Sequence, residues 1–484
     1  MVKKHRRVQR QALPEDVPTR VPGREKLYFR PEDVRSDYFT DIGFPGMPPY
    51  TRGSTASMYR SSLWEIIHYL RAAVPSHNAP LLKLLRKEGA SAGIVPDVLT
   101  RSGIDPTEGA GRDGVSLFSS FDVRELKNND EFRIDGGASL AQLSSMFLAS
   151  GNSQIIPVFD PFTDELFREQ VLKDELRMRS SIAALRYLLD RKICRRIAVS
   201  SYRIAEATEY PEMEMAYAVK LAEMLLSSLD WPAEPMQPLQ VELSATEQLP
   251  NQVAKFRAFR RLWYRHFGDD YGEAVPHIVA RGSMRELTEE QDENNAVRFT
   301  VQCLGAALGG AEGIALNEAT APVGIAGEKE LKAVLRAHAI AAHEANIGDT
   351  VDPVAGSYYI EHMTDELETR AQRLLEMVKG MDARRSFHVF LPFIRSRMFE
   401  ERRQLATREK IVVGVNMFRL GEKRTVSWER KRMKDYRDYI RKQRYQFLGQ
   451  LPQPESNEYI ETLMQLFNKG ATVGQVTSLM AHSF

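Results

Sequence analysis

The chain has 484 residues, 43% of them hydrophobic and 27% charged, with a formal net charge of +1. That balance is ordinary for a globular protein and provides no global field for nucleic acid or an acidic membrane. There is no run of about 18 apolar residues and no N-terminal secretory hydrophobic region, so no membrane span is expected and the cytoplasm is the expected compartment.

Residues 1–40 read as a basic, proline-punctuated arm. From about residue 90, short apolar runs alternate with longer helical patterns. The predicted strands are ASAGIV (90–95), EFRID (131–135), SQIIPVF (153–159), RRIAVSS (195–201), LQVELSA (239–245), HIVAR (277–281), EGIALN (312–317) and KIVVGVN (410–416). Between them, stretches such as RMRSSIAALRYLLD, NQVAKFRAFRRLWYRHF and NNAVRFTVQCLGAALGG carry apolar residues at helical spacing. Eight strands with mostly helical connections fit a parallel (β/α)8 TIM barrel over 41–418. A doubly wound open sheet is the alternative, and it would leave eight parallel strands unclosed. The long gap before the eighth predicted strand implies a helical insertion over about 350–409. Residues 419–484 read as a C-terminal helical extension.

Residues 425–445, TVSWERKRMKDYRDYIRKQRY, form a second basic stretch. Like the N-terminal arm, it reads as solvated surface rather than nucleic-acid contact, since glycine-rich loops and zinc knuckles are missing. Cys194 and Cys303 lack Cys-x-x-Cys neighbours and read as small buried hydrophobes.

In such a barrel the chemistry sits at the C-terminal ends of the strands. The residues predicted there are Asp97, Asp160, Arg203, Glu247, Arg281 and Asn317, with Tyr69 joining from the N-terminal segment. No histidine falls at these ends, so no metal centre is expected. Asp160 and Glu247 are a candidate acid–base pair, although rim carboxylates equally serve as helix caps and ion-pair partners. Ser200 and Ser201 lie outside any Gly-x-Ser-x-Gly elbow, so a serine nucleophile is not indicated.

Six stretches carry a resemblance: GFPGMPPYTRGSTASMYRSSLW (43–64), VAKFRAFRRLWYR (253–265), ENNAVRFTVQCLGAALGG (293–310), AAHEANIGDTVDPVAGSYYIE (341–361), KIVVGVNMF (410–418) and GATVGQV (470–476). Together they resemble, in order, the barrel chain of the cobalamin-dependent acyl-CoA mutases, the methylmalonyl-CoA and isobutyryl-CoA mutase family. The resemblance implies the same barrel, a CoA thioester or carrier-bound acyl ligand along its axis, and adenosylcobalamin as cofactor. It assigns Thr51, Arg52, Ser57, Met58 and Tyr202 to substrate binding, and Tyr69 and Asn317 to the cofactor side. The family's cobalamin domain carries an Asp-x-His-x-x-Gly motif that does not occur here. Any such domain is therefore expected on a separate subunit, with a second mutase barrel chain as the other expected partner.

The polar positions depart from the family. Where members read Gly-Tyr-His-Ile, with the histidine holding the thioester carbonyl, this chain reads Ser-Tyr-Arg-Ile, and Arg203 takes the histidine's place. A guanidinium donates hydrogen bonds but does not shuttle protons near neutral pH. Ile155 aligns with a family glutamine, Glu165 with an arginine, Val279 and Arg281 with a His-x-Gln pair, Ile67 with an arginine and Ala321 with an acidic residue. These replacements predict that Tyr69, Arg203, Asp160, Glu247 and Arg281 form a rebuilt constellation, with Arg203 at the rim against Glu165 or Glu206. Three readings follow: a silent partner in a mutase complex, a divergent or repurposed acyl-thioester enzyme, and, least favoured, a phosphate or nucleic-acid binder.

Overall fold

A computed structural model describes residues 28–105, 114–126, 131–152, 154–168, 170–229, 239–271, 275–323, 327–420 and 450–484. Both basic stretches singled out above lie wholly or mostly outside these residues. Eight parallel strands close into a barrel in chain order: β1 Glu65–Leu70, β2 Ser91–Ile94, β3 Phe132–Asp135, β4 Ile155–Phe159, β5 Ile197–Ser200, β6 Leu239–Ala245, β7 His277–Gly282 and β8 Gly313–Ala315. Closure comes from β1 pairing with both β2 and β8.

The strand inventory differs from the sequence reading at both ends. EIIHYL supplies β1, a strand the periodicity did not single out, and it takes the last place in the cylinder. KIVVGVN is not a barrel strand. Asn416 folds it into a turn, accepting from the Val412 amide at 2.7 Å and donating to the carbonyls of Lys410 at 2.7 Å and Leu405 at 3.0 Å. Its apolar side chains Ile411 and Val413 stay half exposed, so no burial would reward a strand there. The helices Tyr358–Met377 and Ala383–Thr407 therefore follow a finished barrel instead of interrupting it.

Alternation along each strand separates two cores. Phe132 and Ile134 of β3, Val241 and Leu243 of β6, and Ile278 and Ala280 of β7 pack outward under the helices. Inside, Ile67, Tyr69, Val95, Val279 and Ala315 form a small apolar cluster of their own. The lumen is so tightly filled that a Cβ on Gly93 would stand 2.6 Å from the Tyr69 ring.

Outside the barrel, the helix Leu249–Tyr271 carries arginines one turn apart, and they match carboxylates on Tyr358–Met377. Arg257 Nη2 meets Glu361 Oε1 at 2.6 Å, and Arg261 Nη2 meets Asp365 Oδ1 at 2.8 Å. Arg261 and Arg265 both reach Glu368, and Arg265 also pairs with Asp41 of the N-terminal segment. The C-terminal helices Glu458–Asn468 and Val473–Ser483 pack on Leu140–Ala149. No helix among the described residues is long and apolar enough to cross a membrane.

Candidate functional site

The C-terminal half of the lumen is filled by charge. β3 directs Arg133 and Asp135 inward, β6 Glu242, β7 Arg281 and β1 Tyr69, while the short helix Tyr202–Ala207 after β5 adds Arg203. Arg203 is 4% exposed, so it lies inside the barrel and not at its rim. Its three nitrogens each face a different carboxylate. Nη1 lies 3.2 Å from Asp160 Oδ2 and Nε 3.0 Å from Asp164 Oδ1, and Nη2 donates to Asp135. Glu165 and Glu206, the partners expected from sequence, are engaged elsewhere. Glu165 pairs with Arg177, and Glu206 accepts from the Ser283 hydroxyl at 2.9 Å and the Met284 amide at 3.1 Å.

Arg281 continues the network. Its Nη1 sits 2.8 Å from Asp135 Oδ2 and 3.5 Å from Glu242 Oε2. Its guanidinium carbon lies 4.2 Å from the Tyr69 ring centre and 4.1 Å from that of Tyr202, a cation held between two aromatic faces. The Tyr69 hydroxyl donates to Glu242, and Arg133 Nη1 stands 3.8 Å from the same carboxylate. Asp164 is shared with Arg101, whose Nε lies 3.1 Å away.

Burial and these charges set the protonation states. Burial raises the Asp135 carboxyl, but Arg203 and Arg281 beside it outweigh that and hold it well below the usual carboxylate range. Asp160 goes the other way: burial dominates, and its carboxyl is raised despite Arg203 and Thr163. Burial and then Glu242 push the Tyr69 hydroxyl well above its ordinary value. Arg203 is buried, yet three carboxylates keep it firmly cationic. The arrangement can hold charge and position rings, and none of its guanidiniums can relay a proton.

The other sequence-predicted residues are scattered. Tyr202 donates its hydroxyl to the Gly282 carbonyl at 3.1 Å, and Asn317 donates to that same oxygen at 2.6 Å. Glu247 does not join Asp160; it sits beside Glu286 on the rim after β6. Asp97 caps a helical turn, accepting from the Thr100 amide at 2.8 Å. Ile155 packs in the helix-side core, so it cannot replace a mouth residue.

Thr51, Arg52 and Met58 are brought together at the opposite end, where they line a small cleft beneath β8. Arg257, Gly309, Gly310 and Asp352 complete its lining. Arg52 Nε lies 3.5 Å from Asp352 Oδ2. Ser57 does not line the cleft; it is exposed and donates to the Ser61 hydroxyl at 2.8 Å. Arg133 and Glu242 were missed because the search was confined to strand ends, and Asp135 was passed over although it ends β3. A charged residue at an inward position of an otherwise apolar strand was the available signal. His68 was missed with β1; it lies in the barrel wall, 2.9 Å from Glu318.

A closed parallel barrel with helices outside it and charged side chains along its axis defines a (β/α)8 barrel protein. Comparison agrees. The family model described as Methylmalonyl-CoA mutase matches residues 24–153 and 168–484, and the chain belongs to that family. It is 26% identical over 380 residues to the 2-hydroxyisobutanoyl-CoA mutase large subunit of Aquincola tertiaricarbonis, covering 72% of this chain and 67% of that one. It is 25% identical over 413 residues to a methylmalonyl-CoA mutase of Cereibacter sphaeroides, covering 78% and 58%. It is also 25% identical over 427 residues to a methylmalonyl-CoA mutase small subunit of Streptomyces virginiae, covering 83% and 66%. The chain thus spans between 58% and 67% of the length of these relatives.

Proposed function

We propose that this chain is a supporting barrel component of a mutase-type complex acting on CoA thioesters, and that its own axis does not run the radical rearrangement. The observation that carries this is Arg203. It stands where the resemblance expects the thioester-holding imidazole, and all three of its nitrogens face protein carboxylates. A thioester entering from the axis would have to displace Asp135 or Asp160 from Arg203, or Arg281 from between its tyrosines. Breaking one such buried pair costs about 3–5 kcal/mol.

Of the residues assigned to the cofactor, Tyr69 does not fit that role as it stands, because its hydroxyl is committed to Glu242; Asn317 spends one amide hydrogen on the Gly282 carbonyl. This supports a reading in which cobalamin, if the complex uses it, is held by a separate subunit against a second, catalytic barrel chain. The subunit names of the relatives fit a multi-chain assembly.

One observation favours a second reading, a divergent acyl-thioester enzyme: Thr51, Arg52 and Met58, three of the residues the resemblance assigns to substrate, still line one cleft.

The test is direct. Purified chain is titrated with adenosylcobalamin, with and without a cobalamin-domain subunit, and then given methylmalonyl-CoA or isobutyryl-CoA. The supporting role expects no rearranged thioester and no cob(II)alamin signal from either mixture. It also expects a sedimenting complex with a mutase large subunit of the same genome. Sustained rearrangement by this chain and the cobalamin subunit alone overturns it in favour of the enzyme.

A further inference from the structure

The segment leading into the barrel carries its polarity inside out, with its polar groups facing the protein. The amides of Arg35 and Ser36 donate to Asp365 Oδ2 at 3.0 and 3.1 Å, the Arg35 guanidinium reaches Glu366 Oε1 at 2.8 Å, and Asp41 pairs with Arg265. Asp37 accepts from the Phe39 and Thr40 amides at 2.8 and 2.9 Å and so fixes the helical turn Tyr38–Ile42. Ile42 and Tyr50 are buried, and the Tyr50 ring meets that of Tyr264 edge-on at 5.7 Å.

With the inward side taken, the large apolar side chains stand in solvent. Phe39 is 70% exposed, and Tyr38, Phe44 and Met47 are 47%, 54% and 57% exposed. The three rings touch one another, with centres 5.3 Å apart for Tyr38 and Phe39, 6.3 Å for Tyr38 and Phe44, and 6.4 Å for Phe39 and Phe44. Met47 joins them, its amide donating to the Phe44 carbonyl at 3.1 Å. Side chains of this size offer about 200 Å² each, so together they present about 450 Å² of apolar surface. A monomer gains nothing from so large a patch, and it is over half of the ~800 Å² that each side of a stable interface buries.

Charge narrows what covers it. Residues 1–27 hold eight Lys and Arg, three acids and no Phe, Tyr or Trp, a composition poorly matched to stacked rings. Around a two-fold axis each residue meets its own copy, so a charge at the centre would be repelled by itself. Residues 42–51 carry no charge. Between 35 and 41 the charges are Arg35, Asp37 and Asp41: the first and last are neutralised by Glu366 and Arg265, and Asp37 is turned onto its own helical turn.

We propose that Tyr38, Phe39, Phe44 and Met47 are the seat of a second copy of this chain, packed ring on ring across a two-fold axis. The segment is braced on the outer helices Leu249–Tyr271 and Tyr358–Met377, apart from the lumen, so the contact does not depend on the role proposed above.

Sedimentation velocity of the full chain alone, over a range of concentrations, tests this. Wild type should dimerise with a midpoint at or below about 10 μM. Phe39→Glu or Phe44→Glu puts two carboxylates into the contact, one from each copy. Either should raise the dissociation constant at least about a hundredfold, with unchanged far-ultraviolet dichroism. Phe399→Glu alters a ring on Ala383–Thr407 that is 74% exposed, and it should leave the dimer intact. A wild type that stays monomeric, a dimer indifferent to both Phe39→Glu and Phe44→Glu, or one that Phe399→Glu disrupts equally overturns the proposal.

Discussion

Replacing Arg203 by methionine tests the lumen network most sharply. Of its three carboxylates, Asp135 keeps Arg281 at 2.8 Å and Asp164 keeps Arg101 at 3.1 Å. Asp160 keeps only the Thr163 contacts and the Tyr217 hydroxyl at 3.4 Å. The substitution therefore strands one buried carboxylate, which costs about 3–5 kcal/mol at neutral pH. Removing the stranded charge as well, with Asp160→Asn, should recover about half of that loss and give a coupling energy of about 2 kcal/mol between the two sites. Burial already raises the Asp160 carboxyl, and without Arg203 it rises further. An acid raised by folding contributes stability below its unfolded value and loses it as pH rises through the folded value. The deficit of Arg203→Met should accordingly be largest at pH 8 and shrink toward pH 5. Urea midpoints for the four proteins of the cycle, measured at both pH values with unchanged slopes, provide the numbers. A single variant within about 1 kcal/mol of wild type at pH 8, or a double variant no better than the single, would refute the account of Arg203 as the centre of a buried ion lattice.

Other consequences follow from neighbouring contacts. Tyr69→Phe removes the hydroxyl donor of Glu242 and should cost about 1–3 kcal/mol in the same urea assay; a neutral result would mean that Arg133 and Arg281 suffice. Burial pushes the Cys194 and Cys303 thiols up to about 12, so neither should react with a thiol reagent at pH 8 until urea unfolds the chain. Both should then react, and a native thiol that labels within seconds contradicts the placement. Glu286 is raised from 4.5 to about 7, so its contribution to stability is complete below 4.5 and lost by pH 7. Glu286→Gln should flatten that part of the pH–stability curve by up to about 3 kcal/mol, as read from urea midpoints across pH 4 to 8. Arg203→His places an imidazole in the lumen but leaves Arg281 between its tyrosines, so it should not confer rearrangement of methylmalonyl-CoA; turnover in that variant would show that the axis opens.

The barrel was legible because most of its strands are short apolar runs bounded by turn residues, and seven of the eight predicted runs contain a barrel strand. The eighth misled because apolar content alone does not distinguish a strand from a turn whose amides are satisfied by one asparagine. β1 escaped because Glu65 and His68 interrupt its hydrophobic pattern. Both are explained only by distant partners: Glu65 by Arg133 and Arg196, His68 by Glu318. The site was half legible. Asp160, Arg203, Arg281 and Tyr69 were named and do converge, but Glu242 lies inside β6 where the search did not look, and Asp135, the last residue of β3, was passed over at its strand end. Glu247 was named for the wrong partner, since which rim carboxylates touch depends on loop paths that no periodicity encodes.

The separation of the two faces of each strand makes the helix-side scaffold independent of what fills the interior. The outward set, Phe132 and Ile134 or Val241 and Leu243, meets the helices, and those helices are braced by Arg257, Arg261 and Arg265 against Glu361, Asp365 and Glu368. None of these contacts depends on what the inward residues are. The lumen asks only that its volume be filled and its charges paired. Arg203 meets both demands because Asp135, Asp160 and Asp164 surround it, whereas an arginine without them would be an unpaired buried cation. Arg203 and Asp160 are therefore coupled, since Asp160 has no other guanidinium while Asp135 keeps Arg281. A relative that keeps the Tyr-His-Ile stretch should lack the aspartate at the position of Asp160, because a carboxylate buried there without a guanidinium would be as costly as Arg203 without its partners.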